Sequence, residues 1–253
     1  MGGWQKGLIG VVAVVAVVGF FWRTTIYGQV VAKPGVDIGG SYLSGAYLRG
    51  KDLTGANLRG ADLTRADLTY ARLEGADLTG TDLTDANLRG ADLTRADLRS
   101  ADLTRAFLLR ADLTSANLWR AELEGATLSG AKLEGANLTG VDLRKADLWA
   151  ADLRKADLTG QSLSGADLTF AQLTYAKLEG SDLTGANLTG ANLGSADLTG
   201  AKLEGAKLEG ADLRHATLTG AKLEGADLRD ANLTDATDAI LSDVQKSQVR
   251  SLP

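Results

Sequence analysis

Carboxylates recur at multiples of five along this chain, with Asp62, Asp67, Asp77, Asp82, Asp92, Asp97 and Asp102 in one register. A ladder of oxygen donors is what a hard cation such as calcium requires, and paired carboxylates also serve acid–base catalysis. Calcium-binding β-solenoids use nine-residue glycine-rich repeats, and the units here, such as ADLTG, do not reproduce that spacing. The Asp ladder therefore reads as structural or solvated, and no metal is expected. There is no Cys, the single His is His215, and the Ser residues have no partnering base. Nucleophile-plus-base catalysis has no candidate constellation, so the reading is of a non-enzyme without cofactor or small-molecule substrate. The Asn-Leu-Thr triplets at Asn137, Asn187 and Asn232 match a glycosylation acceptor only because the repeat writes ANLT.

The element that must position these groups is set by Leu, which occupies every fifth position from Leu43 to Leu233, thirty-nine times, with Ile38 one step earlier. Helices repeat their faces every ~3.6 residues and strands every ~2, so a period of five requires a unit that turns a corner. Forty pentapeptides run from Val36 to Asp235, and ADLTG, ADLTR, ANLTG and AKLEG are their commonest forms. In a short extended stretch Ala and Leu point inward and the residue between them outward. The last two residues form the corner, where Gly tolerates unusual backbone angles.

Seven of the forty Ala positions depart from Ala: Val36, Ser41, Lys51, Thr81, Val141, Gln161 and Ser181. Five of them, Ser41, Thr81, Val141, Gln161 and Ser181, differ by multiples of 20, which a four-sided coil stacks in one column. Lys51 and Gln161 are long polar side chains at a position that points inward, with Lys51 expected to snorkel out at a corner.

With its small residue, then Asp or Asn, then Leu, then two variable residues, the chain resembles the pentapeptide repeat family over about four-fifths of its length. The resemblance implies an all-β architecture, a right-handed quadrilateral β-helix, in agreement with the column of departures. Ten coils at ~4.8 Å make a rod of roughly 48 Å. Its interior is expected to be close-packed, without a void for a substrate, so activity belongs on the surface.

Charge on that surface follows rules. Glu follows Leu at 74, 124, 134, 179, 204, 209 and 224, and in six of those modules Arg72, Lys132, Lys177, Lys202, Lys207 or Lys222 precedes the Leu. Glu122 is the exception, and Asp or Asn before Leu is never followed by Glu. Some family members that confer quinolone resistance resemble a DNA duplex and bind DNA gyrase in its place. Between Val36 and Asp235 there are 22 basic and 30 acidic residues, a net charge of −8. Duplex DNA of that length carries roughly 28 charges, so the mimicry falls short about threefold. Arg95, Arg99, Arg105, Arg110 and Arg120 make the middle locally basic, but acidic residues interleave them, and nucleic acid is an unfavoured partner.

In the 20-residue register Phe107, Leu109, Trp149 and Phe170 share one face outside the Leu columns, with Tyr47 and Tyr70 toward one end and Trp119 on the opposite face. Apolar and aromatic surface of this kind marks the candidate partner-binding face.

The N-terminal segment is different. Gly7 to Trp22 contains sixteen uncharged residues, GLIGVVAVVAVVGFFW. As a helix it would span about 24 Å against a hydrocarbon core of ~30 Å, and counting from Trp4 gives about 27 Å with a Trp at each interface. A cleaved signal peptide is the competing reading, but Val30-Val31-Ala32 lies well past the bulky Phe20-Phe21-Trp22. Residues 1–22 are thus expected to be a single-pass membrane anchor, 23–35 a linker and N-terminal cap, 36–235 the β-helix and 236–253 a cap. Positive charge does not choose the side of the membrane. Ile240, Leu241 and Val244 at helical spacing predict a short capping helix, and the family resemblance allows a homodimer through this end. The function expected is that of a non-catalytic, membrane-anchored interaction scaffold or spacer with an unknown protein partner. The alternative is a soluble or exported DNA-mimicking inhibitor of a DNA-binding enzyme such as gyrase.

Overall fold

The computed structural model describes residues 33–251, so the anchor expected at 1–22 and the linker as far as residue 32 lie outside the described residues. Among the described residues no helix is long and apolar enough to cross a membrane. The residue before each Leu makes a parallel bridge to the residue twenty positions later, from Asp37 with Asn57 to Thr217 with Thr237. Twenty residues per coil and four bridges per coil make a four-sided parallel β-solenoid. Pairing on each face is confined to that one residue, because the chain turns again two residues after every Leu.

The corner is a four-residue β-turn. Ala56 N–H donates to the Leu53 carbonyl at 2.9 Å, and the third residue of that turn, Gly55, has φ 62°. That position takes positive φ all along the rod, including at Arg65, Arg95 and Arg105 with φ 56°, 58° and 55°. A non-glycine residue there costs about 1 kcal/mol. Arg95 and Arg105 offset part of this by pairing with Glu74 and Asp85.

The central Asp shapes the same corner. Asp52 Oδ1 accepts from the Thr54 amide at 3.1 Å and the Thr54 hydroxyl at 2.8 Å. The unit repeats at Asp62 with Thr64 and, toward the other end, at Asp197 with Thr199. The ladder is therefore structural: each carboxylate occupies the corner amide that follows it. Those bonds from Thr54, hydroxyl first and amide second, hold the Asp52 carboxyl below its ordinary range.

Inward, the Leu side chains from Leu48 to Leu213 are all but fully buried, with Ala between them. Inward polar residues are satisfied locally: Thr81 donates to the Leu58 carbonyl at 3.0 Å and Ser181 to Leu178 at 2.8 Å. Gln161, 6% exposed, donates to the Thr159 carbonyl at 3.1 Å, while Lys51 is only half-buried.

Charged modules split into two kinds. Where Arg follows Asp-Leu it pairs with the Asp of its own module, as in Arg99–Asp97, Arg144–Asp142 and Arg214–Asp212. Lys132, Lys177 and Lys202, each with an Asp one coil earlier, reach back to Asp112, Asp157 and Asp182, while Glu134 and Glu209 meet Arg154 and Arg229 on the next coil. Exposed to solvent and screened by salt, such pairs add little to stability.

The C-terminal cap differs in detail from expectation. Helix α1 is Asp243–Gln248, opened by Ser242 in a capping box with Gln245. Of the three apolar residues expected on it, Leu241 precedes it and packs inward at 8% exposure, while Ile240 and Val244 are exposed. A polar residue makes the seal: buried Gln245 donates to the carbonyls of Leu223 and Ala226 at 2.7 and 3.2 Å. Leu223 already accepts the turn bond from Ala226 N–H at 3.0 Å, but the Ala226 carbonyl has no following coil to serve it, and a buried acceptor left unpaired would cost about 1–3 kcal/mol. Ser251 then bridges Asn232, and Arg250 N–H donates to Ala231 at 2.8 Å, covering part of the open edge.

Candidate interaction surface

One face of the rod is built from modules 46–50, 66–70, 86–90, 106–110, 126–130, 146–150 and 166–170, which bridge one another in sequence. Within a module the residues on either side of Leu project outward and the corner residue flanks them. At 106–110 this presents Phe107 and Leu109 around buried Leu108, and Phe107 bridges Asn87 and Thr127. At 146–150 it presents Trp149, and at 166–170 Phe170 occupies the corner with φ 58°.

The four residues singled out from sequence fall into two lobes. Trp149 and Phe170 meet edge to face, with centroids 6.4 Å apart and planes at 87°. Phe107 and half-buried Leu109 form the second lobe, and the polar module with Thr127 and Ser129 separates the two. Phe107, Trp149 and Phe170 are 52%, 48% and 51% exposed, which leaves an unusual amount of ring surface on a rod whose neighbours carry Asp and Thr. Trp119 stands on the opposite face beneath the Arg120 guanidinium, 4.3 Å from its centroid.

Two features extend this strip beyond the predicted residues. Corner rings fold back over the glycine one coil later, so a Cβ on Gly90 or Gly190 would stand 2.5 Å from the ring of Tyr70 or Phe170. The signal was present in sequence as an aromatic followed twenty positions later by Gly, but ring direction is not legible from spacing. The second feature is cationic. Arg49 lies 6.0 Å from the Tyr70 centroid, and among the described residues neither Arg89 nor Arg110 has a carboxylate within ion-pair distance.

Carboxylates near the rings are engaged locally. Asp147 accepts from the Trp149 amide at 3.1 Å and the Ser129 hydroxyl at 2.6 Å, and Asp167 from the Thr169 amide and hydroxyl at 3.0 and 2.5 Å. The adjacent face, through modules 61–65 to 141–145, carries Asp62, Asp82, Asp85, Asp102, Glu122, Glu124 and Asp142. There Arg144 and Arg105 hydrogen-bond Asp142 and Asp85 and hold their carboxyls below the usual range. The arrangement offers aromatic edges and guanidinium groups on one face and anions on the next. Among the described residues no three His, Cys, Asp or Glu side chains converge to hold a metal ion.

The family model described as Pentapeptide repeats matches residues 41–80, 81–120, 91–130, 121–160, 162–200 and 196–235. Among solved structures, HetL from the cyanobacterium Nostoc, involved in heterocyst differentiation regulation, is 37% identical over 81% of this chain and 92% of its own, with a TM-score of 0.45. The pentapeptide repeat protein Rfr23 from the cyanobacterium Cyanothece is 44% identical over 34% of this chain and 59% of its own, with a TM-score of 0.34. A trypsin-treated form of QnrB1, a plasmid-mediated fluoroquinolone resistance protein, is 20% identical over 85% and 90%, with a TM-score of 0.54, a likeness of fold. No curated protein matches the sequence.

Proposed function

This chain belongs to the pentapeptide repeat family, whose proteins adopt the right-handed quadrilateral β-helix, and from that premise we propose that it is a non-catalytic interaction scaffold anchored to a membrane. The observation that carries the interaction role is the strip of Phe107, Leu109, Trp149 and Phe170 gathered on one face of the rod, whereas Tyr42, Trp119 and Tyr175 are exposed singly on the other three. Exposed aromatics beside arginines without carboxylate partners suit a protein surface that supplies apolar pockets and acidic groups. The bridges run through every module from Asp37 to Thr237, so the face is flat and regular and docking depends on side chains alone. Support for anchoring is the uncharged run from Gly7 to Trp22, of near-spanning length.

Pull-down from detergent-solubilised membranes compares the full chain with Phe107→Asp and Trp149→Asp variants. The expected result is at least a tenfold loss of the specific partner with both variants, about 1.4 kcal/mol or more. Recovery equal to that of the unaltered chain removes the strip from the proposal. The DNA-mimic reading is weaker, because a net charge of −8 leaves the rod far less anionic than a duplex. Inhibition of gyrase supercoiling at stoichiometric amounts would reverse that order.

A further inference from the structure

We infer, on the reading that residues 7–22 anchor the chain, that the first coil of the rod is a bilayer-contact surface whose occupant is anionic lipid headgroups.

The first coil departs from the others in three ways at once. Tyr42 and Tyr47 are 90% and 82% exposed, the most exposed large hydrophobic side chains among the described residues. They occupy the central position on adjacent faces, and each bridges the Asp of the next coil, Asp62 and Asp67. Their rings therefore stand where many later modules, such as those of Asp62 and Asp67, place a carboxylate fixed to its own corner. Lys33, Arg49 and Lys51 have no ion-pair partner among the described residues. From residue 33 to 51 the one carboxylate is Asp37, and it accepts from the Gly39 amide at 3.2 Å and the Asn57 amide group at 3.0 Å. Core residues at this end, Val36, Leu43 and Ala46, are only partly buried, whereas Leu48 and Leu53 are fully so.

The opposite end has the reverse character. It is sealed by α1, and residues 226–251 carry Asp227, Asp230, Asp235, Asp238 and Asp243 against Arg229, Lys246 and Arg250. One end of the rod is aromatic and cationic, the other acidic and capped.

Tyrosine is amphipathic and favours the headgroup level of a membrane, and Lys and Arg close to a membrane are drawn to anionic lipid. The chain outside the structure supplies the geometry. Eleven residue steps separate Trp22, where the apolar run ends, from Lys33, a reach of at most about 38 Å. The tether thus keeps the cationic end, and not the acidic one, beside the bilayer. The corner Ser44–Gly45 lies between the two tyrosines, so the rod contacts the surface through the edge shared by their faces.

Because the chain has no Cys, one introduced thiol reports one place. Full-length protein with Ser44→Cys or Ser247→Cys, carrying a polarity-sensitive fluorophore, is reconstituted into vesicles of phosphatidylcholine with or without phosphatidylglycerol. The expected result is a blue shift and protection from aqueous quencher at position 44 only, stronger with phosphatidylglycerol. Each of Lys33→Gln, Arg49→Gln and Lys51→Gln should lower the ratio of protected to exposed label about fivefold. Tyr42→Ser with Tyr47→Ser should abolish the blue shift while alkaline extraction still leaves the protein in the vesicles. A label at position 44 as aqueous as that at 247, in protein that resists extraction, overturns the contact surface and leaves the anchor standing. Protein that is extracted yet retains the lipid-dependent shift overturns the anchor alone, and loss of both overturns both.

Discussion

Two stretches of the rod, residues 81–120 and 121–165, share one repeat yet are held differently. In the first, Leu83 N–H donates to Asp102 at 2.7 Å and Asp102 N–H to Thr81 at 3.0 Å, and the pattern continues module by module. In the second, the ladder bonds expected from Leu123, Gly125, Leu138, Gly140, Asp142, Asp157 and Ser162 are not made with normal geometry, while Leu143, Lys145 and Asp147 donate at 3.2, 3.4 and 3.3 Å. The bridges between residues twenty apart nonetheless persist through it. Volume alone does not explain the difference, since Thr81 has the shape of Val141 and stands in the same column. Thr81 has Ala61 and Ala101 as column neighbours and gives its hydroxyl to the Leu58 carbonyl. Val141 has no hydroxyl to give, and Gln161 stacks directly on it one coil later. The corner itself stays closed, with Val141 N–H donating to the Leu138 carbonyl at 3.1 Å, but bonding between coils is lost there and Gly140 reaches φ 76°, the largest positive value in the rod. Leu sets the register, and two successive large residues in the small column set how well the ladder closes.

The largest effect should come from emptying the core in each region. Leu83→Ala is expected to cost about 2–5 kcal/mol, with Leu143→Ala near the lower end because a loosened coil collapses into the gap more readily. Urea denaturation reads both, and equal costs would break the comparison.

Next come reciprocal changes at the small column. Ala101→Val places a second large residue beside Thr81 and should cost about 1–3 kcal/mol, with faster amide exchange at Leu83 and Asp102. Val141→Ala should shift stability by less than about 1 kcal/mol yet slow exchange at Leu123, Leu138 and Asp142. Unchanged exchange in both variants removes stacking as the cause.

The smallest effect tests the charge pairs of the second region. Asp142 and Asp152 are held below their ordinary value chiefly by hydrogen bonds from Arg144 and Arg154, and Asp52 by those from Thr54. A lowered carboxyl contributes stability that is complete above its unfolded value of 3.8 and is lost as pH falls through the folded value below it. Thermal unfolding should therefore be level above about pH 5 and fall in acid. Arg144→Gln should flatten part of that fall, and an identical acid profile would count against the pair.

Much of this was legible in the linear repeat. Ala and Leu inward, Asp outward and twenty residues per coil all follow from alternation, period and the column holding Thr81 and Ser181. The face carrying Phe107, Leu109, Trp149 and Phe170 followed from the same register. Less legible was the end of the rod, where of Ile240, Leu241 and Val244 only Leu241 packs inward and polar Gln245 completes the cap. Hydropathy reports which side chains avoid water, whereas the last coil also needs a donor for the Ala226 carbonyl.

A strict period specifies neighbours: it says that Trp149 and Phe170 lie on successive coils, and that Lys132 stands above Asp112. It does not specify distance or direction, which arise from packing across twenty residues. The edge-to-face contact of Trp149 with Phe170, the Lys132 pair to the coil behind, the ring of Phe170 lying over Gly190 and the lost inter-coil bonds around Val141 are all of that kind. Local rules choose which way a side chain points, but only the stacked coils determine what it meets.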